Sequence, residues 1–184
     1  MTQVVWHTTM SLDGFIAGPG DSMEWAFRYP GPNRLADEVM ETTGAILAGR
    51  RWYDVATERY GGRKGIYGGA WEGPVFVLTH RPPDAPGDPG IAFLRAPLAE
   101  AIATVTQAAN GRNVEIFGAG VAAQCLDEGL IDEIVVHVAP VLLGDGVRLY
   151  GLTGDRRQVE LERTDLAESG EGRLVSMRFR VNRS

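Results

Sequence analysis

The chain has 184 residues, a length that suits one domain (1–184) with a proper core, and its 44% hydrophobic and 23% charged residues are those of a soluble globular protein. A formal net charge of -6 argues against a nucleic-acid backbone or an anionic membrane as partner. With one cysteine, Cys125, neither an intrachain disulfide nor a cysteine-based metal cluster is expected, and a reducing, cytoplasmic home fits.

The first ten residues, MTQVVWHTTM, lack the basic and apolar regions of a signal peptide, and no apolar run is long enough to cross a bilayer. Residues 3–9 read as a strand. MSLDGFIAGPGDSMEW follows, where the chain breaks at Asp13-Gly14, resumes as Phe15-Ile16-Ala17 and dissolves into Gly18-Pro19-Gly20, with Phe15 and Trp25 expected as exposed aromatic anchors. Residues 33–43 predict a short helix capped by Asn33, with Leu35, Val39 and Met40 on one face. GAILAG, 44–49, is a buried strand, and residues 50–60 a helix with Trp52, Val55, Ala56 and Tyr60 at helical spacing. Residues 61–73 form a glycine-rich loop, 74–79 a strand, 80–90 a loop set by four prolines, and 91–95 a short strand. The clearest helix is 97–110, opened by Pro97 and closed by Gly111. Then come strand 113–118, helix 119–129 and strand 131–140.

Residues 142–151 read as a loop over the same sheet edge, with Asp145 a turn residue. Residues 158–168 and 173–181 both alternate around SGEG, which predicts a C-terminal antiparallel hairpin. Strands apolar on both faces, alternating with helices, imply a three-layer α/β/α architecture with a mostly parallel sheet.

Ligands of such sheets bind beyond the C-terminal ends of the parallel strands. Three of those ends suit an anion. Gly49-Arg50-Arg51 and Gly118-Ala119-Gly120 each lead into a helix N-terminus, whose free amides and partial positive charge attract phosphate. Thr79-His80-Arg81 offers a hydroxyl and two cationic or near-cationic groups for a terminal phosphomonoester. Three such ends point to a dinucleotide with an extra phosphate, hence NADPH. GAGVAA also has the G-x-G-x-x-A form, but an acid about 20 residues on would fall near Val138, inside a strand, which argues against a Rossmann domain.

MSLDGFIAG…MEW, AILAGRRWYD, VFVLTHRP and EIFGAGVAAQCLDEGLIDEIVVHVAPVLLGDG, in that order, resemble the dihydrofolate reductase superfamily. The likeness is to the branch named for the C-terminal reductase domain of the bifunctional riboflavin-biosynthesis deaminase/reductase, and it runs over residues 3–181. It implies an NADPH-dependent reductase, a homodimer, acting on a small heterocycle by hydride transfer to C=O or C=N. Under it, Gly49, Arg50 and Arg51 meet the pyrophosphate, and Thr79, His80 and Arg81 meet the 2′-phosphate. Gly118, Ala119, Gly120 and Val121 form the second glycine turn. Thr9, Met10, Ile16 and Ala17 wall the nicotinamide, and Trp25 lies near the substrate. The family's lysine is His7 here, and Ile116 stands where a glutamate precedes the second glycine turn. Glu115 is adjacent but faces the other side of the strand.

For the proton of the reduction, Asp13 is the first candidate, with Glu24 and Asp37 as others near the substrate. The bland reading of Asp13 is a turn former, and that of His7 a satisfied core histidine. His137 and Cys125 read as packing. An alternative function is an NADPH-binding sensor or module without turnover, and a flavin or deazaflavin reductase is a third.

Overall fold

The computed structural model describes residues 2–84, 87–151, 158–169, 171 and 173–182. Among the described residues, ten strands and four α-helices follow one another as β1 (Val4–Ser11), β2 (Phe15–Ala17), α1 (Arg34–Thr42), β3 (Thr43–Gly49), α2 (Arg50–Arg59), β4 (Val75–Leu78), β5 (Ile91–Leu94), α3 (Leu98–Ala108), β6 (Asn113–Phe117), α4 (Ala119–Asp127), β7 (Glu133–Ala139), β8 (Val147–Arg148), β9 (Leu161–Ser169) and β10 (Leu174–Val181). Eight of the strands form one sheet in the order β5-β4-β3-β6-β1-β7-β10-β9. The first six run parallel to one another, and β10 and β9 close the sheet antiparallel. The architecture is the expected three-layer α/β with a mostly parallel sheet and a C-terminal antiparallel pair. The turn expected at 169–172 and the loop expected at 80–90 lie partly outside the described residues. No helix among the described residues is long and apolar enough to cross a membrane.

Strand parity explains the two faces. Val4 and Trp6 of β1, Ala45 and Leu47 of β3, and Val114 and Ile116 of β6 pack against α3 and α4. The alternate residues turn to the other face, where Ile46 and Ala48 meet Trp71 and Ile66, and Val5 meets Leu35 and Val39 of α1. A fully buried parallel sheet needs this double cover, which is why its strands read as unbroken apolar runs. Helix α1 starts where Asn33 Oδ1 accepts from the Ala36 amide at 3.3 Å, a cap worth about 1 kcal/mol.

Three features depart from the sequence reading. Phe15 and Trp25 are buried, at 4% and 7% exposure, rather than exposed. Arg148 lies over the Phe15 ring at 4.6 Å, and Trp25 packs on Ala139 and Leu174. The glycine-rich loop is largely a 3-10 helix, Gly62–Gly69, interrupted at Ile66–Gly68.

The short strand β2 survives because it has a partner. It pairs antiparallel with β8, the small second sheet, in the stretch expected to be loop. Gly146 makes that pairing possible: its φ is +133°, and a Cβ there would lie 2.1 Å from the Ala17 carbonyl oxygen. Gly146→Ala is therefore expected to destabilise the chain by about 2 kcal/mol or more, read as a lower urea midpoint.

Candidate active site

A cleft of about 510 Å³ opens at the C-terminal ends of β1, β3 and β6, three adjacent parallel strands. Its base is formed by His7, Thr8 and Thr9 of β1, Gly49 after β3, and Phe117 and Gly118 after β6. Ile16, Ala17 and Val147 of the β2/β8 ribbon form one wall. Trp52, Val55 and Ala56 of α2 form another, with Trp52 edge-on to Phe117 at 5.2 Å between centroids.

The N-termini of α2 and α4 both face this cleft, and neither has a side-chain cap. Their first amides are thus left for a ligand or water, in contrast to the capped α1. Gly118 holds φ +93° and ψ 132°, a conformation that strongly favours glycine. A Cβ on it would project between Trp52 and the Gly49 amide, at 3.7 and 3.9 Å, and one on Gly49 would meet Val121 at 3.1 Å. A Cβ on Gly120 would meet nothing within 4 Å. The two glycine turns therefore abut and form one cradle. Arg50 lines it, held by Asp54 at 2.8 Å, and its Nη1 donates to the Arg81 carbonyl. Arg51 also lines it and is mostly exposed, paired with Asp21 at 2.7 Å.

Of the residues proposed from sequence, His7, Thr9, Ile16, Ala17, Gly49, Arg50, Arg51, Gly118, Ala119, Gly120 and Val121 meet in this one cleft. Met10, half-buried, is not among the lining residues. Thr79 is buried and its hydroxyl accepts from the Arg81 amide at 3.1 Å, while His80 and Arg81 are exposed; the Arg50 contact ties this segment to the cleft's end. Trp25 does not line the cleft, and its indole donates to the Ser22 carbonyl at 3.2 Å. Glu24 is exposed, takes hydrogen bonds from Ser22 and from the Tyr60 hydroxyl, and is held below the usual carboxylate range first by Ser22. Asp37 is exposed on α1, also outside the lining.

Asp13 has a different setting from a proton donor's. Its carboxylate accepts from the Ser11 hydroxyl at 2.6 Å and from the Leu143 and Gly144 amides at 3.1 and 2.7 Å. With the Leu12 amide on the Val141 carbonyl and the Leu149 amide on Gly14, it stitches loop 141–149 to loop 11–17. The Ser11 hydroxyl, then these amides, hold its carboxyl at about 2, below the ordinary 3.8. Because the folded value is depressed, its stabilising contribution is complete above pH 3.8 and is lost as pH falls toward about 2. Asp13→Ala is expected to remove that acid-limb dependence and to speed hydrogen exchange at the Leu143 and Gly144 amides.

Sequence reasoning missed a polar cluster beside the cradle. His7 lies 2.7 Å from the Tyr67 hydroxyl and 3.0 Å from Glu115 through Nδ1, and 2.6 Å from His137 through Nε2. Tyr67 lines the cleft, and burial above all pushes its phenol up, so it stays protonated. His137 is thus part of a network rather than plain packing, and burial, then His7, push it down to about 3. Cys125 does pack: it is buried, and burial raises its thiol to about 12. The signal available was parity, since an acid in mid-strand at 115 and histidines in mid-strand at 7 and 137 share one face. Tyr67 comes from an irregular loop and gave no signal. Met23 of a loop, Phe27 of a short 3-10 turn and Tyr60 at the end of α2 also line the cleft.

Residues 70–175 match the model of the RibD C-terminal domain, and the chain belongs to that family. It is 27% identical over 168 residues to the uncharacterized protein YwjB of Bacillus subtilis (strain 168), covering 88% of this chain and 90% of that one. The crystal structure of a putative riboflavin biosynthesis protein from Shewanella sp. PV-4 superposes with a TM-score of 0.80 at 23% identity, covering 99% of this chain and 100% of that one. Acinetobacter baumannii RibD gives a TM-score of 0.70 at 20% identity, and the match spans 99% of this chain but 58% of that one. These structures share the fold.

Proposed function

We propose that the chain is an NADPH-dependent reductase that transfers a hydride to a C=O or C=N bond of a small heterocyclic substrate. The observation that carries this reading is the cradle: two uncapped helix N-termini joined through a left-handed Gly118, at the ends of three adjacent parallel strands. That geometry suits a pyrophosphate, with Arg50 and Arg51 adding charge. The apolar ribbon of Ile16, Ala17 and Val147 suits a nicotinamide face, and the exposed Arg81 with His80 suits a 2′-phosphate beyond Arg50. When bound, the cofactor supplies the hydride; the chain orients it and keeps water from the reacting carbon. Membership of the RibD C-terminal domain family supports the same class of reaction.

Equilibrium binding tests the reading. NADPH is expected to bind more tightly than NADH, and Arg81→Ala to narrow that preference by roughly tenfold, the worth of one charge-assisted phosphate contact. Equal binding of the two cofactors removes the 2′-phosphate assignment. Turnover is then read as loss of NADPH absorbance across a panel of pterins, pyrimidines and quinones. Tight binding without turnover on any of them favours a nucleotide sensor instead.

A further inference from the structure

The polar cluster beside the cradle has an order to its protons. Asn33 Oδ1 caps α1 by accepting from Ala36, which fixes the amide and turns Nδ2 toward Nδ1 of His137 at 3.1 Å. The Ser176 hydroxyl reaches the same nitrogen at 2.7 Å. His137 Nδ1 is therefore an acceptor, and neutral His137 carries its proton on Nε2. That proton points at His7 Nε2, 2.6 Å away, so His7 carries its own on Nδ1. There it meets the Tyr67 oxygen at 2.7 Å and Glu115 Oε1 at 3.0 Å. Tyr67 in turn donates to Glu115 Oε1 at 2.8 Å. Every donor in the chain runs one way, from the helix cap to Glu115.

Glu115 is fully buried, and in this arrangement neither histidine offers it a positive charge. Its other oxygen, Oε2, lies 3.2 Å from Thr43 Oγ1. Thr43 has one proton and a shorter route for it, to the Val39 carbonyl at 2.8 Å. A proton on Glu115 completes the Glu115–Thr43 contact without breaking any other. Tyr67 itself is held at φ +50°, a conformation a bulky residue keeps only when its surroundings hold it there.

We propose that Tyr67 is the proton donor of the reduction and that Glu115 holds the proton that replaces the one Tyr67 gives. This rests on the reductase reading above. As the substrate carbon gains a hydride, the π pair of its C=N or C=O bond moves to the heteroatom. The heteroatom takes the Tyr67 hydroxyl proton: one N–H or O–H bond forms and the phenol O–H bond breaks. The phenolic oxygen takes the Glu115 carboxyl proton after a half-turn of the carboxyl group. Tyr67 ends as a phenol and Glu115 as a carboxylate, still accepting from Tyr67 and His7. Once the product leaves, water in the cleft gives a proton to the Tyr67 oxygen as Tyr67 passes its own to Glu115, and the carboxyl group turns back. Tyr67 is the catalytic residue here, and Glu115, His7 and His137 are positioning residues that act through it. Asp13, whose oxygens hold loop 141–149, has no part in the transfer.

Infrared spectroscopy of the cofactor-free protein tests the stored proton. At neutral pH the wild type is expected to show the carbonyl stretch of a protonated carboxylic acid. Glu115→Gln removes that band, and Tyr67→Phe shifts it by deleting one hydrogen bond. A spectrum in which Glu115→Gln removes no acid band overturns the proposal. With a panel compound that the wild type reduces, Tyr67→Phe is expected to lower kcat about 100-fold, with KM and NADPH affinity unchanged. A kcat that Tyr67→Phe leaves unchanged overturns Tyr67 as donor. If the wild type binds no NADPH, the reductase reading fails, and the infrared band still decides whether Glu115 holds a proton.

Discussion

Gly118→Val is expected to weaken NADPH binding by about 100-fold or more while leaving the eight-stranded sheet in place. The residue sits at φ +93° between β6 and α4, where a β-branched side chain fits poorly. Forcing valine there costs about 1–3 kcal/mol of strain or shifts the turn. Either outcome moves the first amides of α4, the groups proposed to meet the pyrophosphate. The new side chain also fills the space between Trp52 and Gly49, so the two turns no longer form one cradle. Trp52 lines the cleft and serves as the reporter, since bound nucleotide is expected to quench its fluorescence. Circular dichroism checks the sheet in the same samples. Unchanged affinity would mean that the nucleotide does not lie over this turn.

Trp71→Ala carries the largest expected cost in stability. The indole is 6% exposed, packs with Ile46, Val75 and Ile66, and donates to the Thr43 carbonyl at 3.1 Å. Gly73 is shaped to it, because a Cβ there would strike the ring at 2.2 Å. Removing a buried tryptophan costs about 3–5 kcal/mol, which for a chain of this length lowers Tm by roughly 10 °C. The same cavity undercuts the 62–69 turn that carries Tyr67, since Tyr67 packs on this cluster. Faster hydrogen exchange in that turn, beyond the global loss, is the second expected sign. A loss below about 1 kcal/mol would show that the cluster repacks without its indole.

The sequence and the structure agree where burial imposes a pattern. AILA and VFVL are apolar on both faces because helices cover both, VEIF breaks that pattern only at Glu115, and Gly49 and Gly118 mark where β3 and β6 hand over to helices. The glycine turns that end β3 and β6 are legible for the same reason, and the sheet brings them side by side. Legibility fails where a contact is made by partners far apart in the chain. Phe15 and Trp25 flank a loop, so sequence suggests exposure, yet the loop folds back under residues 139–148 and buries them. Two residues, Val147 and Arg148, are too short a run to announce a strand. Asp13-Gly14 reads as a turn, and nothing local says that the acid also grips the amides of Leu143 and Gly144. The His7–Tyr67–Glu115 cluster joins two strands and an irregular loop, and parity supplies only its strand members.

NADPH is proposed to lie across the two glycine turns with its nicotinamide against the β2/β8 ribbon. A crystal structure of the NADPH-soaked protein tests it most directly. The pyrophosphate is expected on the first amides of α2 and α4, the 2′-phosphate beside Arg81, and the nicotinamide over Ile16 and Ala17 with open volume toward Tyr67. Density for the nucleotide elsewhere, or a cradle left empty at NADPH concentrations that saturate the protein in solution, would contradict it.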